Sequence, residues 1–204
     1  GAAMNQLCSL SGAELTVKPL FLDIPTHDFT QKEAMSITEL LDAMSIGARA
    51  VETDANIILL GEMGIGNSTI ASALAASIFG GSVSDWVGAG TGSGEKEIEH
   101  KINVIKSGIK KHGARSDLSA LLAFGGREQA AICGAILAAR AASIPVLLDG
   151  FICTAAAAPL YGLSADFLDH CLVGHKSAEP GHQKLLNVMD KTPILDLNMR
   201  LGEG

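Results

Sequence analysis

The chain has few aromatic residues, no excess of basic residues and no long apolar run. Aromatic residues make up 4% of the 204 residues and hydrophobic residues 48%, which favours small-residue helices packed closely on a sheet over an aromatic-rich sandwich. The formal net charge of -7 argues against a nucleic-acid partner. Without an apolar run of membrane-spanning length or a signal-peptide pattern, the sequence predicts a cytoplasmic protein with no membrane partner.

Cysteine pairs with metal-binding spacing are also missing. None of the four cysteines, Cys8, Cys133, Cys153 and Cys171, forms a C-x-x-C pair, and each has apolar or small neighbours. This pattern predicts buried free thiols and disfavours a metal site built from the cysteines and the six histidines, because the expected ligand spacing is missing. A chain of 204 residues buries a sizeable core without a disulfide, so residues 1–204 are predicted to form one domain.

Short apolar runs that end at a glycine predict buried parallel strands at residues 56–60 and 145–149. Residues 15–22 and 193–197 are predicted as the first and last strands. Helical spacing is found over residues 35–51, 70–79, 98–111, 116–124 and 128–143. Strands that alternate with such helices predict an α/β fold with a doubly wound, mostly parallel sheet flanked by helices, which is Rossmann-like.

The strand at residues 56–60 leads into a glycine-rich turn, Gly61-Glu62-Met63-Gly64-Ile65-Gly66-Asn67-Ser68. A strand, a glycine turn and a helix aim free N–H groups at an anion, so this turn predicts a phosphate site. The spacing is close to a P-loop, but Asn67 replaces the lysine of that motif, which favours a monophosphate over ATP hydrolysis. The match to a dinucleotide-binding motif is weaker because the third glycine is missing, although Asp85 lies near the position expected for an acid that binds the ribose. The alternative is a purely structural turn.

A second glycine cluster, residues 88–92, precedes Lys101 on the next predicted helix. Together they would close over the same phosphate, with Lys101 supplying the charge that Asn67 lacks. On spacing alone, a solvated helix lysine is an equal alternative.

Residues 172–182 crowd two histidines, a lysine, a serine and a glutamate into a predicted loop ahead of a helix. The histidines lack the H-E-x-x-H spacing of a metalloprotease, and no G-x-S-x-G elbow supports a serine hydrolase. Ser177 suits a ribose-phosphate contact, with a structural loop as the equal alternative. Glu203 lies between two glycines after the last predicted strand, so it would reach the crevice at the carboxyl ends of the predicted strands. On the sequence alone, an exposed terminal glutamate is the safer interpretation.

Six motifs in this order resemble those of the nicotinate-nucleotide–dimethylbenzimidazole phosphoribosyltransferase family. They occupy residues 61–68, 88–92, 123–128, 148–151, 175–182 and 200–204. The resemblance spans the chain and corresponds to the central and C-terminal parts of the family's longer chain. It implies that the family's N-terminal region, which contributes to the benzimidazole pocket, is lacking here.

The resemblance implies a glycosyltransferase that moves the 5-phosphoribosyl group of nicotinate mononucleotide to 5,6-dimethylbenzimidazole. The products would be α-ribazole 5′-phosphate, used in the cobalamin lower ligand, and nicotinate. It implies a homodimer that needs no metal or cofactor, with Glu203 as the catalytic base. The implied substrate-binding residues are Glu62, Met63, Gly64, Ile65, Gly66, Asn67, Ser68, Gly88, Ala89, Gly90, Thr91, Gly92, Lys101, Ser177, Leu201 and Gly202. The alternative is a non-catalytic nucleotide-binding relative, and a P-loop ATPase comes third.

Overall fold

The computed structural model describes residues 3–88 and 94–198. The strands in these ranges are β1 (Ile58–Leu60), β2 (Val146–Leu148), β3 (Cys171–His175) and β4 (Pro193–Leu195). The helices are α1 (Ala3–Ser11), α2 (Ile37–Arg49), α3 (Asn67–Phe79), α4 (Glu95–His112), α5 (Ser119–Phe124), α6 (Arg127–Ala141), α7 (Phe151–Leu163) and α8 (Pro180–Val188). No helix within these ranges is both long and apolar enough to cross a membrane.

The four strands form one parallel sheet in the order β1-β2-β3-β4. The register aligns Leu59 with Leu147 and Leu147 with Leu172. The predicted α/β class, with a parallel sheet flanked by helices, is confirmed. Among these four strands the spatial order follows the chain order, so the part of the chain that the structure describes contains no reversal of strand order of the kind that defines a doubly wound sheet.

The core lies between one face of the sheet and the helices. On that face Val146, Leu148, Cys171 and Val173 are at most 1% exposed. Small residues bring the helices very close: a Cβ atom on Gly134 of α6 would lie 1.9 Å from the backbone oxygen of Met44 in α2. The alanine- and glycine-rich composition is therefore used for tight packing of helices on a sheet.

The five predicted helices are confirmed as α2 to α6, and three predicted strands are confirmed as β1, β2 and β4. Local interactions explain where α2 begins and where α4 ends. Helix α2 begins after Ser36, whose hydroxyl accepts a hydrogen bond from the Glu39 N–H, while the Glu39 carboxylate accepts from the Ser36 N–H. Helix α4 is followed by Gly113, whose positive φ of 74° favours glycine.

The strand predicted at residues 15–22 is wrong. This segment is irregular, and Val17 and Leu22 are 78% and 81% exposed. Phe21 has a φ of 53°, which an extended strand does not tolerate. Strand β3, which falls partly in the predicted loop at residues 172–182, and helix α7 are among the elements that were not predicted.

The four cysteines are free thiols. Cys133, Cys153 and Cys171 are buried, as predicted, and burial raises the pKa of each. Cys8 is only partly buried, because α1 contributes no buried residue to the core. The three buried thiols therefore behave as small apolar core residues.

Candidate phosphate and ribose site

The carboxyl ends of the four parallel strands meet at one edge of the sheet. Backbone hydrogen bonds continue beyond the strands, since the Asp149 N–H donates to the Leu60 oxygen and the His175 N–H donates to the Asp149 oxygen. The polar residues at or just after these ends are Glu62, Asp149, His175 and Asp196. This is the edge at which parallel α/β sheets bind ligands.

The glycine-rich turn joins β1 to α3 at this edge. Gly66 precedes the helix with a φ of 80°, in the left-handed region that favours glycine. Among residues 3–88 and 94–198 no side-chain capping hydrogen bond is made at this end of α3, so its free N–H groups are suited to an anion. Met63 and Ile65 are 91% and 106% exposed, so the same turn presents two apolar side chains to solvent.

Lys101 connects α4 to this turn. Its Nζ lies 3.1 Å from the Oγ of Ser68, in the first turn of α3, and donates a hydrogen bond to it. Both residues are partly buried. Lys101 is therefore not a freely solvated helix lysine: it adds a positive charge beside the uncapped start of α3, where an anion is favoured.

Glu62 and Asn67 form the acidic side of the turn. The Asn67 amide donates a 2.7 Å hydrogen bond to Oε2 of Glu62. Burial raises the pKa of Glu62 to about 7, and the negative charges of Glu128 and Asp149 act in the same direction, while the Asn67 bond opposes them. Near neutral pH, Glu62 is present in both its neutral and its charged forms.

Glu128 lies beneath the turn at the start of α6. A Cβ atom on Gly64 would lie 2.7 Å from its Oε1, and one on Gly126 would lie 2.6 Å from its Oε2. The two glycines therefore leave room for this carboxylate, which is also stabilised near the positive end of a helix. Sequence reasoning did not include Glu128 among the site residues, although it ends the motif at residues 123–128.

The loop between β3 and α8 is held by His182. This residue is fully buried; its Nδ1 accepts a hydrogen bond from the Ser177 N–H, and its Nε2 lies 3.2 Å from the Oγ1 of Thr154. An accepting Nδ1 assigns the proton to Nε2. Burial lowers the pKa of His182 to about 4, so it is neutral and acts as a structural connection between the loop and α7.

Ser177 and Gly88 are both close to Glu179 in this loop. The Ser177 hydroxyl accepts a hydrogen bond from the Glu179 N–H, and a Cβ atom on Gly88 would lie 2.2 Å from a carboxylate oxygen of Glu179. The start of the second glycine cluster thus lies against the loop that holds Ser177. Next to it, a cleft of about 220 Å³ is lined by Lys176, Ser177, Glu179, Gln183, Asp196 and Asn198.

Seven of the predicted site residues lie outside the described residues. They are Ala89, Gly90, Thr91 and Gly92 of the second glycine cluster, and Leu201, Gly202 and Glu203 near the end of the chain. The other predicted residues lie at the carboxyl edge of the sheet or in segments that contact it.

The pair formed by His175 and Asp149 was missed by the sequence reasoning. Nδ1 of His175 lies 3.2 Å from Oδ1 of Asp149, and a Cβ atom on Gly150 would lie 2.8 Å from the histidine ring. A signal was available, since Asp149 is the last residue of a predicted strand. His175 had no such signal, because β3 was predicted as a loop.

One other interpretation of the polar residues loses support. Asp85, considered as a ribose-binding acid, forms a 2.8 Å ion pair with Lys184. Within residues 3–88 and 94–198, no group of three or more histidine, cysteine, aspartate or glutamate side chains is arranged to hold a metal ion.

Known proteins resemble this chain over its whole length. A family profile described as phosphoribosyltransferase, DBI_PRT, matches residues 1–204. Nicotinate-nucleotide–dimethylbenzimidazole phosphoribosyltransferase of Rhodobacter capsulatus is 56% identical over 204 residues, and the protein of the same name from Mesorhizobium japonicum is 52% identical over 206. Each match covers 100% of this chain and 61% of the relative, so the chain spans about three fifths of the length of these relatives.

A solved structure supports the same relationship. CobT from Thermus thermophilus superposes with a TM-score of 0.85 at 32% identity, covering 100% of this chain and 67% of that one. A second structure from that organism, named as the dimethylbenzimidazole phosphoribosyltransferase, has a TM-score of 0.84 at 30% identity. Together with the profile match over residues 1–204, these likenesses show that the chain belongs to the nicotinate-nucleotide–dimethylbenzimidazole phosphoribosyltransferase family.

Proposed function

We propose that this chain holds nicotinate mononucleotide and transfers its 5-phosphoribosyl group to 5,6-dimethylbenzimidazole. The products are α-ribazole 5′-phosphate and nicotinate. The names of the relatives support the choice of reaction. Because the chain spans 61% of their length, the part of the family's length beyond these residues is proposed to complete the pocket for the acceptor base.

The observation that carries the proposal is the 3.1 Å contact between Lys101 Nζ and Ser68 Oγ at the uncapped start of α3. A helix start, a hydroxyl and an ammonium group are the donors that one phosphate needs. Ser177, which lies just after the end of β3, is proposed to contact the ribose or its phosphate. Met63 and Ile65 are proposed to contact the substrate through their exposed side chains.

The proposed chemistry is a displacement at C1′ of the ribose. A nitrogen of dimethylbenzimidazole forms a bond to C1′ from the face opposite nicotinate, and the bond between C1′ and the pyridinium nitrogen breaks with its electron pair going to that nitrogen. The second benzimidazole nitrogen then loses its proton. Glu203 is proposed to accept this proton, and Glu62, with its pKa of about 7, is proposed to hydrogen-bond the ribose or to support Glu203.

The remaining expectations belong to the same proposal. The enzyme is proposed to act as a homodimer in the cytoplasm, without a nucleic-acid partner and without a metal or cofactor. The free thiol state of the four cysteines is compatible with a reducing compartment.

The test uses this chain alone and the chain joined to the remaining part of the Rhodobacter capsulatus relative. Both are incubated with nicotinate mononucleotide and dimethylbenzimidazole, and α-ribazole phosphate is detected by mass spectrometry. In the joined protein, Glu203→Gln is expected to lower kcat by at least ~100-fold while the Kd for the nucleotide changes less than about twofold. Full activity of this variant would contradict the proposed base.

The main alternative is a nucleotide-binding relative that does no chemistry. It predicts that the joined protein binds nicotinate mononucleotide, measured by calorimetry, and forms no α-ribazole phosphate. Adding adenine or a phenol as competing acceptors to the same reaction reports the acceptor specificity.

A further inference from the structure

The side chains of Asp149 and His175 form a pair at the carboxyl edge of the sheet, and the proposed substrate contacts do not include it. Asp149 follows β2 and His175 ends β3, and Nδ1 of His175 lies 3.2 Å from Oδ1 of Asp149. The main chain joins the same two residues, because the His175 N–H donates a 3.1 Å hydrogen bond to the backbone oxygen of Asp149. The pair is therefore held together by both its backbone and its side chains.

The histidine is the more buried member of the pair. Its side chain is 13% exposed, against 37% for that of Asp149. Gly150 makes room for the ring, since a Cβ atom at this position would lie 2.8 Å from Cε1 and 3.0 Å from Nε2 of His175. The ring therefore lies directly against the main chain of residue 150, which limits where it can move.

Asp149 has one carboxylate oxygen left for a ligand. Within residues 3–88 and 94–198, Oδ1 contacts His175, and Oδ2 has no hydrogen-bond or ion-pair partner. The side chain is partly exposed at the edge where parallel sheets bind ligands. A carboxylate that is held through one oxygen and open at the other is suited to accept a hydrogen bond from a hydroxyl group.

The strand order places Asp149 between the two parts of the proposed substrate site. Strand β2 lies between β1, which leads into the glycine turn, and β3, which leads to Ser177. Neighbouring strands are about 4.8 Å apart, so the ends of β1 and β3 are separated by roughly 10 Å. A ribose whose 5-phosphate is bound at the start of α3 and which also approaches Ser177 crosses the end of β2, where Asp149 lies.

We propose that His175 is a positioning residue for the ribose of nicotinate mononucleotide: it holds the Asp149 carboxylate by one oxygen, so that the other accepts a hydrogen bond from a ribose hydroxyl group. This inference rests on the proposed function, because it assigns a contact to the same nucleotide. Acids that bind ribose hydroxyl groups also occur at this edge of dinucleotide-binding sheets. An acceptor that is held in place favours binding, since less freedom is lost when the ribose arrives.

Nucleotide binding by a variant of Asp149 tests the contact. Calorimetric titrations with nicotinate mononucleotide are made on the chain joined to the remaining part of the Rhodobacter capsulatus relative, and inorganic phosphate is the second probe. Asp149→Ala is expected to raise the Kd for the nucleotide about 10-fold, because a hydrogen bond to a charged group is lost. The Kd for phosphate is not expected to rise, since removing a negative charge does not weaken the binding of an anion.

A double-variant cycle tests whether His175 acts through Asp149. His175→Phe keeps an aromatic ring and removes the nitrogen beside the carboxylate. It is expected to raise the Kd for the nucleotide about 5-fold in the wild-type background and less than ~2-fold in the Asp149→Ala background. His175→Asn, whose amide nitrogen lies near the position of Nδ1, should restore most of the affinity. The control is His27→Phe, at an exposed histidine before α2, which should change the Kd less than ~2-fold.

The inference is overturned if His175→Phe binds the nucleotide as the wild type does, or if its loss is the same with and without Asp149. A lower urea midpoint for His175→Phe with an unchanged Kd would make the pair a structural link between β2 and β3.

Failure of the proposed function has a different signature. A joined protein that shows these losses of binding but forms no α-ribazole phosphate would contradict the transfer reaction and support the role of His175. A joined protein that binds phosphate but not the nucleotide would contradict both.

Discussion

The side-chain amide of Asn67 donates a 2.7 Å hydrogen bond to Oε2 of Glu62 across the turn between β1 and α3. A P-loop has a lysine at this position, which reaches the β- and γ-phosphates of a nucleotide triphosphate. Here the position holds an amide that is already bound to a carboxyl group. This supports the proposal that the turn holds a single phosphate at the helix start, with an acid beside it.

Removing the Asn67 amide should raise the pKa of Glu62 above about 7. This hydrogen bond favours the charged carboxylate, whereas burial and the charges of Glu128 and Asp149 favour the neutral form. Asn67→Leu preserves the size of the side chain and removes the donor. A carbon-detected NMR titration of the Glu62 carboxyl group measures the change, with Asn103→Leu on the exposed surface of α4 as the control. A fall in the pKa would contradict this account.

Lys101→Met should weaken binding of nicotinate mononucleotide by about 10- to 100-fold, since a hydrogen bond to a charged group contributes about 1.5–3 kcal/mol. Lys106→Met is a matched control, because Lys106 lies on the same helix and is exposed. Calorimetric titration of the chain with the nucleotide gives both Kd values. Equal losses for the two variants would mean that Lys101 acts only through the overall charge.

Thr154→Val should destabilise the fold without touching the proposed substrate contacts. The Thr154 Oγ1 lies 3.2 Å from the Nε2 of His182 and donates to the Gly150 oxygen. The valine keeps the shape and leaves the buried N–H of His182 without an acceptor, at a cost of about 1–3 kcal/mol. Urea unfolding at pH 7 measures the loss. Thr38→Val, at an exposed position of α2, should change stability by no more than ~0.5 kcal/mol.

His182 also predicts how stability depends on pH. Its pKa is about 4 in the folded chain, against an ordinary value of 6.5, because it is buried. Its contribution to stability is therefore fully present above pH 6.5 and is lost as the pH falls to about 4, where the unfolded chain takes up a proton that the folded chain does not. The loss over this range is on the order of 3 kcal/mol. Urea unfolding of the wild type and of His182→Gln between pH 7 and pH 4 should show a shallower slope for the variant.

The helices were predictable because their apolar residues recur with helical spacing and glycines mark their ends. Strands β1 and β2 were predictable because each is a short apolar run that ends at a turn. Strand β3 lacks that signal, since Gly174 and His175 interrupt its apolar pattern and the strand is specified by its neighbours in the sheet. At residues 15–22 local composition favoured a strand, but no neighbouring strand or helix covers Val17 or Leu22 within the part of the chain that the structure describes.

The glycine turn could be recognised because its residues are adjacent in sequence. Lys101 and Ser177 are distant from it in sequence and were proposed from their own motifs, and the structure places Lys101 beside the turn. The role of His182 was not predicted, because its buried bonds to Ser177 and Thr154 depend on how the loop folds against α7. The same holds for Glu128, which lies under Gly64 only because α6 begins beside the turn.

Gly66 offers a final test that separates backbone strain from ligand binding. Gly66 and Gly113 have φ values of 80° and 74°, and a Cβ atom at either position would meet no described atom within 4 Å. Alanine at Gly66, whose ψ is 3°, therefore introduces left-handed strain that costs about 1–2 kcal/mol of stability. Alanine at Gly113 costs more, because its ψ of 163° lies in a region that almost only glycine adopts.

The two glycines differ in their surroundings. Gly66 begins α3 at the proposed phosphate site, whereas Gly113 ends α4. Gly113→Ala should lower the urea midpoint at least as much as Gly66→Ala does. Only Gly66→Ala should also weaken nicotinate mononucleotide binding, because the turn can relieve its strain by moving the N–H groups that face the anion. If both variants bound the nucleotide as the wild type does, the start of α3 would not be the phosphate site.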